Sequence, residues 1–254
     1  MPASLLTPRD FGAQGGGADD SGALRQAFDQ MASGQTLWFD EPYFVGQDGQ
    51  NPWCLKLTKL ISMRSLNALG GIFPLASLAS GVRILHVAPG AALLGSAHWR
   101  FDGLTLGDGS RGGTALYLDT TVDGAQFAKP VIENANIFGA NDAPGLHHIN
   151  VDSGAGNPNH NGGMYGASIR NNRIVNGVRL EVSGDSNVIA QNIISGAGVG
   201  IYVHTVGGGA AEGGASHCSI IDNNITSLGG ALRVDKARRL FFKRNNCEQI
   251  APGG

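Results

Sequence analysis

Apolar and polar positions alternate in a short pattern that recurs five times in the second half of this chain. Each copy has an Ile or Leu, then any residue, then Val or Leu, then a small or polar residue. The copies are Leu116–Asp119, Ile149–Asp152, Leu180–Ser183, Ile201–His204 and Leu232–Asp235, at spacings of 33, 31, 21 and 31 residues. Self-similarity at such a period indicates a repeat architecture, in which each copy forms one turn of a stack. If the aliphatic residues point inward, the residues between them form outward columns.

A second apolar pattern lies between these copies, at 131–137, 169–174, 188–193, 220–225 and 242–247. Its last aligned positions are Ile137, Ile174, Ile193, Ile225 and Cys247, and its earlier ones are Ile132, Ile169, Val188, Ile220 and Phe242. Directly before the last position stand Asn136, Arg173, Asn192, Asn224 and Asn246. Apolar residues five apart around a polar stretch fit two strands joined by a bend and do not fit a helix face. We therefore predict a parallel β-helix, with asparagines that stack along a bend to hold backbone turns and with Cys247 buried.

The N-terminal block 10–28 reads DFGAQGGGADDSGALRQAF. Asp20 or Ser21 can cap a helix whose apolar face is Leu24, Ala27, Phe28 and Met31. The block resembles the N-terminal signature of the pectate-lyase-like right-handed parallel β-helix superfamily, in its phage tailspike-like branch. The resemblance implies an all-β, single-stranded right-handed solenoid with a short capping helix, in which Asp19 and Asp20 are structural. We expect a capping segment over residues 1–45 and the β-helix over 46–254. Whether the β-helix is truncated at its C-terminal end stays open.

Composition narrows the function classes. The formal net charge is −2 and no stripe of Lys and Arg is present, which argues against a nucleic-acid partner. No apolar run is long enough to insert into a membrane, and residues 1–10 lack the features of a signal peptide. Three widely spaced cysteines give neither a disulfide framework nor a zinc pattern, so we expect no metal and no cofactor.

The outward columns of the first pattern hold the candidate chemistry. Aromatic faces pack on sugar rings, and planar polar groups bind hydroxyls, so the columns suit a carbohydrate. The candidate substrate-binding residues are Tyr117, Asn150, Tyr202, Arg233 and Asp235. Candidate catalytic residues are Asp152 and Glu181, whose predicted backbone separation of roughly 8 Å suits a pair of glycosidase carboxylates, with His204 one rung further as a base. The alternative interpretation of the same residues is a solvated outer face without catalysis.

The resemblance and the columns together predict a phage or phage-like virion spike that binds a bacterial surface polysaccharide, either capsule or lipopolysaccharide. Whether it also acts as a depolymerase stays open. The spike hypothesis implies a location in the virion, a homotrimer and contacts with other virion proteins. Two alternatives remain: a secreted polysaccharide lyase or glycoside hydrolase of the same superfamily, and a non-catalytic structural base of a longer fibre. The active-site motifs expected of the superfamily's enzymes are not found in the sequence.

Overall fold

Three long parallel β-sheets make up most of the molecule. A computed structural model describes residues 5–89, 99–121, 126–150, 163–181, 186–204, 218–235 and 239–249. Within these ranges, sheets A and B have eight strands each and sheet C has seven, and all paired strands are parallel. Consecutive strands pass through sheets A, B and C in turn, so each passage is one coil of a right-handed parallel β-helix. The predicted fold class is confirmed.

Each coil contributes one strand to each long sheet, in the order A, B, C. The first three coils contain β1 (Thr36–Phe39), β2 (Pro42–Val45), β3 (Trp53–Leu57), β4 (Ser62–Ser65), β5 (Gly71–Pro74), β6 (Arg83–Val87), β7 (Arg100–Asp102), β8 (Thr105–Leu106) and β9 (Leu116–Thr120). The next three contain β10 (Gln126–Ala128), β11 (Val131–Glu133), β12 (Asn136–Phe138), β13 (Leu146–Asn150), β14 (Gly163–Tyr165), β15 (Ser168–Arg170), β16 (Arg173–Val175), β17 (Val178–Glu181), β18 (Val188–Ala190), β19 (Ile193–Gly196) and β20 (Ile201–His204). The last described coils contain β21 (Cys218–Ile221), β22 (Asn224–Ser227), β23 (Leu232–Asp235), β24 (Leu240–Lys243) and β25 (Asn246–Gln249). Strands β10 and β14 form a separate two-stranded sheet.

A short helix covers the first coil. A 3-10 helix at Pro8–Phe11 precedes α1 (Ser21–Gln30), whose buried face is the predicted one and joins the apolar core. Asp20 is buried and accepts a hydrogen bond from the backbone N–H of Gln14 at 2.7 Å, while Asp19 accepts two from Ser21. Burial alone would raise the pKa of Asp19, but the Ser21 hydrogen bonds outweigh it and lower that pKa. Both carboxylates thus hold backbone turns, whereas the proposed domain division at residue 45 stays a prediction.

Stacked aliphatic side chains fill the interior. Ile132, Ile169, Ile189 and Ile220 are in register in sheet A, and Ile137, Ile174, Ile194 and Ile225 are in register in sheet B. All eight are almost fully buried. The sequence alignment of the third copy was therefore wrong by one residue: Ile189 and Ile194 point inward, whereas Ile193 is 57% exposed. The run of apolar residues at 188–189 and 193–194 satisfies either register, and only the neighbouring coils decide between them.

An asparagine ladder, made of Asn172, Asn192, Asn223 and Asn245, occupies the bend between sheets A and B. The Nδ2 of each of the first three donates both to the Oδ1 of the next asparagine, at 2.9–3.0 Å, and to a backbone carbonyl of the preceding coil, while the Nδ2 of Asn245 donates to the carbonyl of Ile220. Each Oδ1 beyond the first also accepts the backbone N–H of the previous asparagine. The residue before each member has a positive φ of 54–59°, which turns the chain through the bend.

The predicted asparagine row is thus correct in kind but wrong in position. In the second, fourth and fifth copies, the stacked asparagine lies one residue before the predicted position. In the third copy the alignment error of one residue cancels this difference, so Asn192 was predicted correctly. Asn224 and Asn246, which were predicted to stack in the bend, are instead exposed at the start of their strands.

The last described coil leaves its inward column open. Phe242 and Cys247 continue the apolar columns of sheets A and B, yet Phe242 is 40% exposed and Cys247 is exposed as well. Among the described residues no further coil packs on them. The expectation that Cys247 is buried was therefore wrong, because an inward position buries a side chain only when a coil lies on both sides.

Replacing Asn192 with Ala tests the ladder. The change removes an amide that satisfies two backbone groups and two asparagines, so we expect the free energy of unfolding to fall by about 2–4 kcal/mol. Denaturant unfolding followed by circular dichroism measures this. Asn224→Ala, one coil further and exposed, is the matched control and should change stability by less than about 0.5 kcal/mol. Equal effects of the two substitutions would contradict a structural role for the ladder.

Candidate functional site on the outer face of sheet C

One outward column runs the whole length of sheet C. Strand pairing aligns Lys56, His86, Tyr117, His147, Arg179, Tyr202 and Arg233, one from each coil. We call this column the outer ladder. It lies outward because its neighbours on the first six of these strands, such as Leu116 and Leu118 beside Tyr117, are almost completely buried. The outer ladder therefore presents aromatic, imidazole and cationic groups along one face.

The predicted column is corrected by this register. Tyr117 is in register with His147 and not with Asn150, and Tyr202 is in register with Arg179 and not with Glu181. Asn150 aligns instead with the buried Thr120, because β13 begins three residues before the predicted copy.

The cause of the slip at β13 is a polar side chain in the core. His148 takes an inward position, is fully buried and lies 3.0 Å from the hydroxyl of Thr120. A search of the sequence for aliphatic residues at inward positions does not recognise a strand that has a histidine at such a position. At β17, in contrast, Val178-Arg179-Leu180 and Leu180-Glu181-Val182 fit the aliphatic pattern equally well. The predicted copy was the second of these, so it is shifted by two residues, which leaves the same face of the strand outward.

The three predicted catalytic residues have different outcomes. The pairing places Glu181, His204 and Asp235 at one register position on three consecutive coils. Asp152 lies outside the described residues. The catalytic assignment of Asp152, Glu181 and His204 stays a prediction.

A cluster of rings occupies the N-terminal half of the outer ladder. Trp53, His86, Tyr117 and His147 contact each other edge to face, with centroid distances of 4.8, 5.2 and 5.0 Å. The guanidinium of Arg83 lies over the Tyr117 ring at 3.6 Å. Tyr117 is consequently only 5% exposed, so its ring offers little surface to a ligand. Its position supports a role in holding Arg83 rather than the direct sugar contact that the sequence suggested.

His86 and Asp119 form a hydrogen-bonded pair beside this cluster. His86 Nε2 donates to Asp119 Oδ2 at 2.8 Å, while Asp119 Oδ1 accepts from the backbone and the hydroxyl of Thr121. Burial would raise the pKa of Asp119, but the hydrogen bonds from His86 and Thr121 outweigh it and hold that pKa well below its usual range. The carboxylate is therefore ionised at neutral pH, and both of its oxygens are engaged.

A second, more open cluster lies in the C-terminal half. The Tyr202 ring is flanked by the guanidinium groups of Arg179, at 5.2 Å, and Arg233, at 4.7 Å. The Tyr202 hydroxyl donates to Asp235 at 2.6 Å, and Arg233 forms an ion pair with the same carboxylate at 3.2 Å. The hydrogen bond to Asp235 raises the pKa of Tyr202. The structure thus brings together three of the predicted binding residues, Tyr202, Arg233 and Asp235.

Several residues of this face were not predicted as site residues. They are Trp53, Lys56, Arg83, His86, His147 and Arg179. A signal was present, since His86, Tyr117, His147 and Arg179 follow each other at intervals of 30–32 residues. The aliphatic pattern also recurs at 55–58 and 85–88, but the preceding residues Cys54 and Ile84 are buried as well and interrupt the alternation.

Comparison with known proteins shows the fold. No protein-family model matches the chain, and no curated protein sequence matches it. Among solved structures, the enzymatically active domain of bacteriophage CBA120 tailspike protein 2 matches with a TM-score of 0.52 and 13% identity, over 97% of this chain and 42% of that chain. The A-module of Azotobacter vinelandii mannuronan C-5 epimerase AlgE4 matches with a TM-score of 0.37 and 15% identity, over 94% of this chain and 76% of that one.

The likeness to the tailspike domain confirms the predicted parallel β-helix fold. This chain spans less than half of that domain's length. In the part of the chain that the structure describes, no helix is both long and apolar enough to cross a membrane.

The depressed pKa of Asp119 predicts a pH-dependent stability. A carboxyl whose pKa is lower in the folded state stabilises the fold above its unfolded pKa of about 3.9, and this contribution is lost as the pH falls below that value. Asp119→Asn should therefore lower the free energy of unfolding by about 1–3 kcal/mol at pH 7, and the deficit should shrink below pH ~4. Denaturant titrations across this pH range measure the difference from wild type. Asp29→Asn, at an exposed position on α1, is the control, and a deficit independent of pH would contradict the assignment.

Proposed function

We propose that this chain is part of a phage or phage-like virion spike that binds a bacterial surface polysaccharide along the outer face of sheet C. The observation that carries the proposal is the open cluster of Arg179, Tyr202, Arg233 and Asp235. An aromatic ring held between two guanidinium groups, next to a carboxylate, offers a partly exposed ring edge to the C–H groups of a sugar and donors and acceptors to its hydroxyls.

The shape of the face supports a polymer as the ligand. The outer ladder extends over seven coils, which at about 4.8 Å per rung gives a length of roughly 29 Å. A flat, polar and aromatic strip of this length suits an extended chain better than a small molecule, which favours a concave pocket. The β-helix shared with a phage tailspike domain is compatible with this role, and capsule and lipopolysaccharide are the proposed ligands.

Depolymerase activity is a second candidate. The observation that favours it is the alignment of Glu181, His204 and Asp235 on consecutive coils, which puts the backbones of the two acidic residues about 10 Å apart. Inverting glycosidases place their two carboxyl groups about 6.5–9.5 Å apart. Asp152 remains a further candidate. Release of reducing ends from a bound polysaccharide, abolished by Glu181→Gln, would support catalysis, and a bound but intact polysaccharide would favour attachment alone.

The proposed spike also implies an assembly. We expect a homotrimer that contacts other virion proteins. Light scattering of the purified protein measures the oligomeric state, and a monomer would count against the trimer without affecting the glycan site.

Replacing Tyr202 tests the binding site. Tyr202→Ala removes the partly exposed ring and the support that it gives to Arg179 and Arg233. It should weaken binding to a polysaccharide ligand, found on an array of bacterial surface glycans, by about tenfold. Tyr202→Phe keeps the ring and loses only the hydrogen bond to Asp235, so its effect should be smaller. Biolayer interferometry gives the dissociation constants.

The matched control is Phe138→Ala. Phe138 is also an outward aromatic residue beside an arginine, Arg173 at 5.6 Å, but it belongs to sheet B. It should leave binding unchanged. Binding that survives Tyr202→Ala and is lost with Phe138→Ala would move the site to sheet B, and an array without any bound glycan would refute the proposed function.

A further inference from the structure

Two cations on sheet C have aromatic partners but no acidic ones. The ammonium of Lys56 lies 5.0 Å from the centre of the Trp53 ring, and Arg83 lies over Tyr117. Within the described part of the chain, neither cation has a carboxylate oxygen within 4.0 Å. We call Trp53, Lys56, Arg83, His86 and Tyr117 the cationic aromatic patch.

The nearest carboxylates have other partners. Asp119 binds His86 and Thr121 with its two oxygens. Asp48, whose backbone N–H bonds to Trp53, forms an ion pair with Arg25. Neither carboxylate therefore forms a direct ion pair with Arg83 or Lys56, whose two cationic groups outnumber the one carboxylate bonded within the patch.

Other arginines of the molecule differ in this respect. On the outer face of sheet A, Arg64 pairs with Asp102 and Arg100 pairs with Glu133. Arg64 also lies over an aromatic ring, that of Trp38 at 4.8 Å, so the contact with a ring does not by itself exclude an acidic partner. Arg83 and Lys56 therefore differ from Arg64 and Arg100, and they share with Arg173 on sheet B the lack of an acidic partner among the described residues.

The patch is accessible and ordered by its own contacts. Lys56 is exposed, and Trp53 and Arg83 are partly exposed, while His86 and Tyr117 beneath them are buried. Stacking on Tyr117 restricts the guanidinium of Arg83 before any ligand arrives, which lowers the entropy lost on binding. Trp53 adds an open apolar surface next to both charges.

From this geometry we propose that the cationic aromatic patch is a subsite for an acidic sugar unit, so that the polysaccharide bound along sheet C is anionic. Arg83 and Lys56 bind its carboxylate or phosphate group, Trp53 packs on its ring, and Tyr117 and His86 position Arg83. The inference rests on the proposed glycan-binding function and adds the chemical class of the ligand. The subsite lies four coils from Tyr202, roughly 19 Å along the stack, so a polymer can contact both.

The test compares the intact chain on neutral, uronate-containing and phosphate-containing surface polysaccharides by biolayer interferometry. Each acidic ligand is also presented after chemical reduction of its carboxyl groups or removal of its phosphate, which identifies the anionic group that is recognised. We expect the neutralised ligand to bind about tenfold or more weakly, and binding of the acidic form to weaken between about 0.05 and 0.5 M NaCl.

The variants are Lys56→Gln and Arg83→Gln, and each should weaken binding of the acidic ligand by about three- to tenfold, with no change for its neutralised form. Arg83→Lys keeps the charge but loses the planar guanidinium, so it should give an intermediate affinity. Arg173→Gln is the control, because Arg173 also lies over a ring without a carboxylate partner among the described residues, but on sheet B. Thermal unfolding verifies that each variant is folded. If Arg83→Gln does not fold, Lys56→Gln tests the subsite by itself, because Lys56 is exposed.

The outcomes separate this inference from the proposed function. Tyr202-dependent binding that is equal for acidic and neutralised ligands overturns the acidic subsite and leaves glycan binding intact. Absence of any glycan binding overturns both. Equal affinity for single-stranded DNA would show that the patch responds to charge alone, and would overturn its assignment to a sugar.

Discussion

The hydrogen bonds of the asparagine ladder hold together the part of the coil that the β-sheets cannot. Between sheets A and B the chain turns within two residues, and the backbone N–H of the second one bonds to an asparagine Oδ1 of the next coil instead of to a strand carbonyl. Asn172, Asn192 and Asn223 satisfy these groups from the inside, and each also bonds to the next asparagine along the stack. A buried amide left without partners costs about 1–3 kcal/mol, so the ladder favours one alignment of successive coils over all others. That alignment then fixes which residues of sheet C share a column.

The candidate site depends on this register more than on any loop. Arg83 reaches Tyr117, and Arg179 and Arg233 flank Tyr202, only because their coils are stacked without a slip. A shift of one residue would turn each of these side chains into the core, at a cost that no outward contact could offset. A rigid core at the centre of each coil therefore positions an outer face whose own contacts are individually weak. Cation–π and edge-to-face pairs contribute about 0.5–1.5 kcal/mol each, which suits a surface that orders its side chains without closing them to a ligand.

The sequence predicts the architecture well and the columns poorly, for identifiable reasons. Regular aliphatic spacing identified the β-helix, and the apolar face of α1 identified the cap, because both reflect burial that repeats along the chain. The columns required exact register, which fails where two frames are equally apolar, as at Ile193 and Ile194, or where the core contains a polar residue, as at His148. Coils before residue 115 vary most in sequence, and the cluster around Arg83 and His86 lies among them. The spacing of 30–32 residues from His86 to Arg179 is a signal in the sequence, but only the strand pairing assigns these residues to one column.

The difference between sheets A and C shows how one set of residue types can serve two purposes. On sheet A, Arg64 and Arg100 are neutralised by carboxylates on the neighbouring rungs, which stabilises the stack but leaves little of their charge for a ligand. On sheet C the carboxylate of Asp119 turns to His86 instead, and Arg83 is held by an aromatic ring. An aromatic partner restrains a guanidinium without cancelling its charge, so the cation stays available. The choice of ring over carboxylate as the supporting partner is what makes this face, rather than sheet A, suited to an anionic polymer.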